Sequence, residues 1–262
     1  MKKKKIKKII LNLLFIVSLC VFVYSGYRLV HIYYQNYQEK EEKTYLEQIS
    51  RVPDNVSDDF EIDWKALKEQ NEEIIGWIKI PNTNINYPIA KGSDNKFYLD
   101  HTFAKNYNYA GAIFMDYRMD ENFSFKNTLI YGHNTIHRTM FSEIEKFMNQ
   151  EFFDANQYLY IFTPEQDYRC EIFSIYKTRA TSESYNLNYP NDEAWVDYMN
   201  MVKNLSYFDR DVNLKADDHI VSLSTCSLEE GYDSDLRILL HAKLVKWDHD
   251  GKASQTKVDQ NL

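Results

Sequence analysis

Eight short runs rich in β-branched and aromatic residues punctuate the chain: Ile74 to Ile80, Ile85 to Ala90, Gly111 to Asp116, Thr128 to Tyr131, Tyr158 to Phe162, Tyr168 to Lys177, His219 to Cys226 and Arg237 to Val245. Helical patterning interrupts them in two places, Met140 to Phe153 and Asn191 to Leu205, the second entered through Pro190 and the acidic pair Asp192 and Glu193. Strands of this length that do not alternate regularly with helices do not build a doubly wound parallel sheet. They predict a mainly β fold, a closed or nearly closed antiparallel or mixed barrel decorated by helices, with one core.

The barrel region is preceded by a different kind of sequence. Six lysines within the first eight residues lead into an almost uninterrupted apolar run from Ile9 to Val23, extended by Leu29, Val30 and Ile32. No small-residue cleavage pattern follows, so the run predicts an uncleaved membrane anchor rather than a signal peptide. The lysines place the N-terminus in the cytoplasm, Arg28 snorkels to the interface, and Tyr24, Tyr27, Tyr33 and Tyr34 suit the outer aromatic belt. The rest of the chain is then expected outside the cell. The predicted organisation is an anchor over residues 1–30, a charged, helix-compatible stalk over 31–62 broken near Pro53, a globular domain over 63–247 opened by a short helix with Asp63 as N-cap, and a loose polar tail over 248–262.

Net charge is −8, and −14 once the six N-terminal lysines are set aside, which argues against a nucleic-acid partner. The three cysteines do not make a disulfide framework. Cys20 lies in the anchor, and Cys170 lies in an alternating run on the predicted face of Ile172 and Ser174, as a small core residue. Cys226 is left as a free thiol outside the membrane.

Cys226 ends the seventh run and Arg237 opens the eighth, joined by a turn-rich segment with Gly231, so a hairpin brings thiol and guanidinium together. Upstream, Tyr131-Gly-His-Asn134 ends the fourth run with an imidazole. Nucleophile, proton carrier and oxyanion stabiliser are the groups that acyl transfer through a thioester requires. A cysteine thiol ordinarily titrates near 8.5, so only a few per cent is thiolate at neutral pH and a proton-carrying neighbour is needed. His133 and His137 are four apart, but the segment lacks the glutamate of a zinc-protease helix, and no metal or organic cofactor is expected.

Leu223-Ser-Thr-Cys-Ser227 followed by Arg237, with Tyr131-Gly-His-Asn134 upstream and an N-terminal anchor, resembles the sortases, the membrane-anchored cysteine transpeptidases of Gram-positive bacteria. The resemblance runs from about Ile74 to Trp247. Gly76-Trp-Ile-Lys-Ile80, Asn86-Tyr-Pro-Ile89, Phe97-Tyr-Leu99, Gly111-Ala-Ile-Phe-Met-Asp-Tyr-Arg118 and the helix-bearing insertion between the sixth and seventh strands are similar to class B. The resemblance implies an eight-stranded sortase-type barrel with Cys226 as nucleophile, His133 as general acid or base and Arg237 steadying the substrate carbonyl. It implies peptide contacts at Asn95, Leu99, Tyr185 and Ser224, with the Ser227 backbone N–H a second oxyanion donor by position. The implied partners are surface proteins bearing a C-terminal sorting signal similar to Asn-Pro-Gln-Thr-Asn and an amine of the peptidoglycan precursor or cross-bridge.

Two other readings use the same residues: an extracellular thiol hydrolase of wall peptides that passes its acyl group to water, and an anchored peptide- or glycan-binding module without catalysis. The loop from Ser227 to Leu236 carries Glu229, Glu230, Asp233 and Asp235, either a solvated acidic rim or an attractor of a cationic amine, and Asp233 or Asp235 is a candidate partner for Arg237.

Overall fold

The computed structural model describes residues 2–53, 56, 60–135, 137–229, 231 and 234–248. Glu230, Asp233 and the tail beyond 248 lie outside them. The chain divides into two compact units, residues 1–42 and 43–262. The second is a closed mixed barrel of β1 (Ile74–Lys79), β2 (Asn86–Ala90), β3 (Phe114–Met115), β4 (Asn127–Tyr131), β5 (Tyr158–Phe162), β6 (Asp167–Arg179), β7 (Ile220–Cys226) and β8 (Leu236–Trp247). The order around the barrel is β1-β2-β3-β4-β7-β8-β6-β5. Two neighbouring pairs, β2 with β3 and β4 with β7, are parallel, and the others are antiparallel.

Period-two alternation sorts the side chains. Val221 and Leu223 of β7 join Leu129, Ile238 and Leu240 in the fully buried barrel interior, while Ile220 packs on the opposite face. That outer face is covered by α4 (Asp192–Asn204), whose Trp195, Tyr198, Met199 and Val202 recur at helical spacing and are all buried. Each such side chain contributes roughly 1.5–3 kcal/mol of apolar burial. Asn191 caps the helix, its side chain accepting from the Ala194 amide at 2.8 Å.

The expected common face for Cys170, Ile172 and Ser174 is corrected by a register shift in β6 between Ile172 and Ser174. Cys170, Ile172 and Ile175 face the interior, whereas Phe173 and Tyr176 join the cluster under α4. Ser174 donates to the Val202 carbonyl of α4 at 2.6 Å. An extra residue on one strand reverses the alternation beyond it. Cys170 is fully buried, and burial pushes its thiol pKa far above the ordinary value.

The single helix expected from Met140 to Phe153 is two elements, a 3₁₀ stretch Ser142–Met148 and α3 (Gln150–Ala155). The break falls at Asn149, whose side chain caps α3 by accepting from the Phe152 amide at 3.0 Å. A short α2 (Trp64–Gln70) begins at Asp63, which accepts from the Ala66 amide at 3.0 Å.

Helix α1 (Lys2–Ser50) is long and apolar enough, by length and composition, to cross a membrane. Its large apolar side chains from Ile9 to Val23 are exposed. The stretch expected to be a plain stalk is not wholly one, because Leu46, Val52, Val56 and Ile62 are buried with Leu67, Trp77 and Phe162 in a second apolar cluster of the globular unit.

Candidate active site

Three neighbouring strands build one wall of a cleft of about 440 Å³. In the antiparallel β7/β8 ladder Cys226 is paired directly with Arg237, and paired residues project from the same face of a sheet. On the other side of β7 the parallel register pairs Tyr131 with Ser224, and the same offset carried two residues further sets His133 beside Cys226. Two bonds extend this alignment past the end of β4. The Gly132 amide donates to Ser224 O at 3.2 Å, and the Asn134 side chain donates to Cys226 O at 3.0 Å and to Glu145 at 2.7 Å. His133, Cys226 and Arg237 thus line one cleft, with the thiol partly exposed.

Each side chain has a defined tether. The His133 Nε2 lies 2.6 Å from the Leu99 carbonyl oxygen, which only accepts, so the neutral ring carries its proton on Nε2 and its lone pair on Nδ1. Arg237 Nη1 donates to the carbonyls of Ser234 (2.9 Å) and Leu236 (3.0 Å), and among the described residues nothing takes up Nε or Nη2, which are open to a ligand. Among the described residues no carboxylate reaches Arg237. Asp235 pairs with Arg179 at 2.7 Å instead, and Glu229 pairs with Lys177. Two acids of the expected rim are therefore held against the end of β6.

The opposite wall comes from the irregular segment between β2 and β4. The 3₁₀ turn Phe97–Leu99 presents Leu99, 43% exposed, beside Asn95. Gly111 allows this turn to approach the imidazole. Its φ is +64°, and a Cβ there would meet Tyr98 O at 2.5 Å, Leu99 O at 2.9 Å and the His133 ring at 3.0 Å. Asp116, wholly buried, accepts from Arg118 Nε (2.8 Å) and Nη2 (2.7 Å), the Asn95 amide (2.9 Å) and the Tyr131 hydroxyl (3.0 Å). Burial alone would raise its pKa, but the hydrogen bonds from Arg118, Asn95 and Tyr131 outweigh it and hold the carboxyl below the ordinary Asp value.

Tyr185, on the 3₁₀ turn Glu183–Tyr185 after β6, closes one end and shares a 2.7 Å hydrogen bond with the Ser224 hydroxyl. Burial raises its pKa, so the phenol stays protonated. The turn is fixed from behind: Tyr176 donates to Ser184 Oγ at 2.9 Å, and Tyr198 of α4 donates to Ser184 O at 2.7 Å.

Of the residues expected to contact peptide, Asn95, Leu99, Tyr185 and Ser224 line the cleft with His133, Cys226 and Arg237. Ser227 does not. It is 1% exposed and its amide already donates to Leu236 O at 2.9 Å, so the hairpin ladder consumes the N–H expected as an oxyanion donor. Sequence reasoning assigned no role to Asp116, Arg118, Tyr131 or Asn134. Asp116 and Arg118 lie in a turn after a two-residue strand, where no periodicity marks a site. Tyr131 and Asn134 flank His133, and their adjacency to a candidate histidine was the available signal.

A Sortase domain family model matches residues 78–245. Sortase B of Listeria monocytogenes is 32% identical over 247 residues, covering 92% of this chain and 99% of that protein. The crystal structure of sortase B from B. anthracis in complex with AAEK1 matches with a TM-score of 0.72 at 33% identity, covering 82% of this chain and 100% of that one. A Staphylococcus aureus sortase B–substrate complex matches with a TM-score of 0.66 at 31% identity, covering 70% and 85%.

Proposed function

Because the chain belongs to the sortase family and is a cysteine transpeptidase of the class B type, we propose that Cys226, His133 and Arg237 carry its chemistry on a C-terminal sorting signal similar to Asn-Pro-Gln-Thr-Asn. The observation that carries the reading is their lateral alignment on one wall of a cleft, two placed by the β7/β8 ladder and the third by the β4/β7 register.

The Cys226 sulfur, its proton passed to His133, attacks the Thr carbonyl carbon. The carbonyl π electrons move to oxygen, and the free N–H groups of Arg237 hold the resulting oxyanion. Collapse re-forms the carbonyl and breaks the Thr C–N bond, the departing amine taking the proton back from the imidazolium. A peptidoglycan amine then attacks the thioester, loses a proton to the same imidazole, and expels the Cys226 thiolate as a new amide forms. Since Leu99 occupies Nε2, Nδ1 is the nitrogen that shuttles the proton. Leu99, Asn95, Tyr185 and Ser224 hold the peptide. Residues 1–30 anchor the chain with its N-terminus in the cytoplasm, and residues 63–247 act outside the cell on surface proteins at the wall. The exposed apolar surface of α1 and its lysine-rich start support that topology.

The test uses full-length protein in detergent with an Asn-Pro-Gln-Thr-Asn peptide and an amine acceptor. Intact-mass spectrometry is expected to show an acyl adduct on Cys226 that hydroxylamine removes, and an amide product once the acceptor is added. No adduct on Cys226, or hydrolysed peptide as the sole product at saturating acceptor, overturns the reading.

A further inference from the structure

Asp116 is fully buried, yet three of its hydrogen-bond partners, Asn95, Arg118 and Tyr131, line the cleft. We propose that Asp116 sets the charge specificity of the peptide subsite, cancelling the Arg118 charge and fixing Asn95 and Tyr131 so that this wall takes an uncharged amide side chain in preference to a carboxylate. The inference rests on the peptide-transferring reading above and adds the residue that selects within it.

The geometry supports the charge argument. Arg118 engages Asp116 through Nε and Nη2 in a two-pronged pair, while its side chain remains 49% exposed at the cleft. Asn95 is oriented at both ends: its oxygen accepts from the Tyr117 amide at 3.0 Å and its nitrogen donates to Asp116 at 2.9 Å. One N–H of that amide and the outer guanidinium N–H groups remain for a ligand. They are donors, so they donate to a carbonyl or amide oxygen of the ligand. Because the Arg118 charge is already balanced, a ligand carboxylate here would add a second anion beside Asp116 with no uncompensated cation on this wall, Arg237 lying on the opposite one. Replacing Asp116 with Asn releases the Arg118 cation to the cleft.

The experiment compares full-length wild type, Asp116→Asn, Arg118→Gln and the double variant on two peptides, Asn-Pro-Gln-Thr-Asn and the same peptide with Gln replaced by Glu. Binding of both to Cys226→Ala forms of the four proteins, read by fluorescence anisotropy, reports preference without turnover, so failure of the transfer chemistry is distinguished from failure of this inference. In Asp116→Asn the preference for the neutral peptide is expected to shift toward the acidic one by about tenfold, the scale of one partly desolvated charge pair. The change is expected in KM rather than kcat. The double variant, with both charges gone, is expected to restore the wild-type ratio, which a merely structural role would not do. Arg118→Gln, which leaves Asp116 unneutralised and is the readout if Asp116→Asn does not fold, is expected to move the ratio further against the acidic peptide. A ratio unchanged in Asp116→Asn and in Arg118→Gln, or a shift not reversed in the double variant, overturns the proposal.

Discussion

The two walls of the cleft are built on different principles. On one, β4, β7 and β8 place His133, Cys226 and Arg237 through backbone ladders, with Leu223, Ile238 and Leu240 buried beneath them. On the other, a segment with only a two-residue strand and a 3₁₀ turn presents Asn95, Leu99 and Arg118, and a single buried carboxylate ties the polar pair together. The β7/β8 ladder fixes Cys226 and Arg237 through backbone hydrogen bonds that truncating their side chains leaves in place, so a reactive group there can be deleted without moving its neighbours. A wall organised by one side chain behaves the other way: one charge change reorients several groups at once. In the proposed reading, reactivity resides on the rigid wall and selectivity on the adjustable one.

Deletions on the ladder wall provide the sharpest contrast. Cys226→Ala is expected to abolish the acyl adduct and lower turnover on the order of a millionfold, as loss of a covalent nucleophile does, while circular dichroism and melting temperature stay at the wild-type values. A large loss of melting temperature would break the claim that the ladder, not the side chain, holds this wall. Arg237→Ala is expected to lower kcat by about a hundred- to a thousandfold, the usual loss of one oxyanion donor. Arg237→Lys is expected to recover little of it. Nη1 is already committed to the Ser234 and Leu236 carbonyls, and an ammonium cannot hold that tether and an oxyanion in the same planar fork.

Gly111→Ala tests the seam between the walls. A left-handed φ and carbonyl contacts under 3 Å predict a destabilisation of about 1–3 kcal/mol, read by chemical denaturation, and a fall in kcat as the Leu99 carbonyl shifts from His133. An Ala variant as stable and active as wild type would show that the turn is not held where the imidazole needs it.

At neutral pH the smallest effect lies behind the ladder wall and shows itself only as a pH dependence. His241 is fully buried between the Ser222 and Tyr176 hydroxyls, and burial lowers its pKa from 6.5 to about 3. The unfolded chain takes up this proton below pH 6.5 while the folded one does not until about pH 3, so stability falls as pH drops through that window. His241→Gln is expected to flatten the slope of denaturation midpoint against pH between those limits, and an unchanged slope would place the acid sensitivity elsewhere. Asp116 acts in the same direction at lower pH: its contribution is complete above 3.8 and is lost as pH falls through its depressed folded value.

Much of the ladder wall is legible in the order of residues alone. Short runs, most of them rich in β-branched or aromatic residues, mark all eight strand positions within a few residues, and the turn-rich segment between Cys226 and Arg237 marks the hairpin that pairs them. Asp63 announces α2 as its cap, and Pro190 with the acidic pair Asp192 and Glu193 announces α4. Other features escape a linear reading for local reasons. One bulge after Ile172 turns Ser174 away from the face of Cys170, and Asn149 splits one helical pattern into two elements. Buried Leu46 and Val52 make part of a predicted stalk into core.

By itself the sequence determined what is periodic or local: strand and helix positions, the Cys226–Arg237 hairpin, and a lysine-led apolar segment long enough to span a bilayer. Tertiary structure alone decided which distant elements lie side by side and which hydrogen-bonding groups remain free. The parallel pairing of β4 with β7 brings His133 to Cys226 from far upstream in the chain, the hairpin consumes the Ser227 amide, and Asp116 gathers Asn95, Arg118 and Tyr131. Alternation and turn signals depend on a residue's neighbours in the chain, whereas lateral pairing and the saturation of a donor depend on what the closed barrel sets beside it.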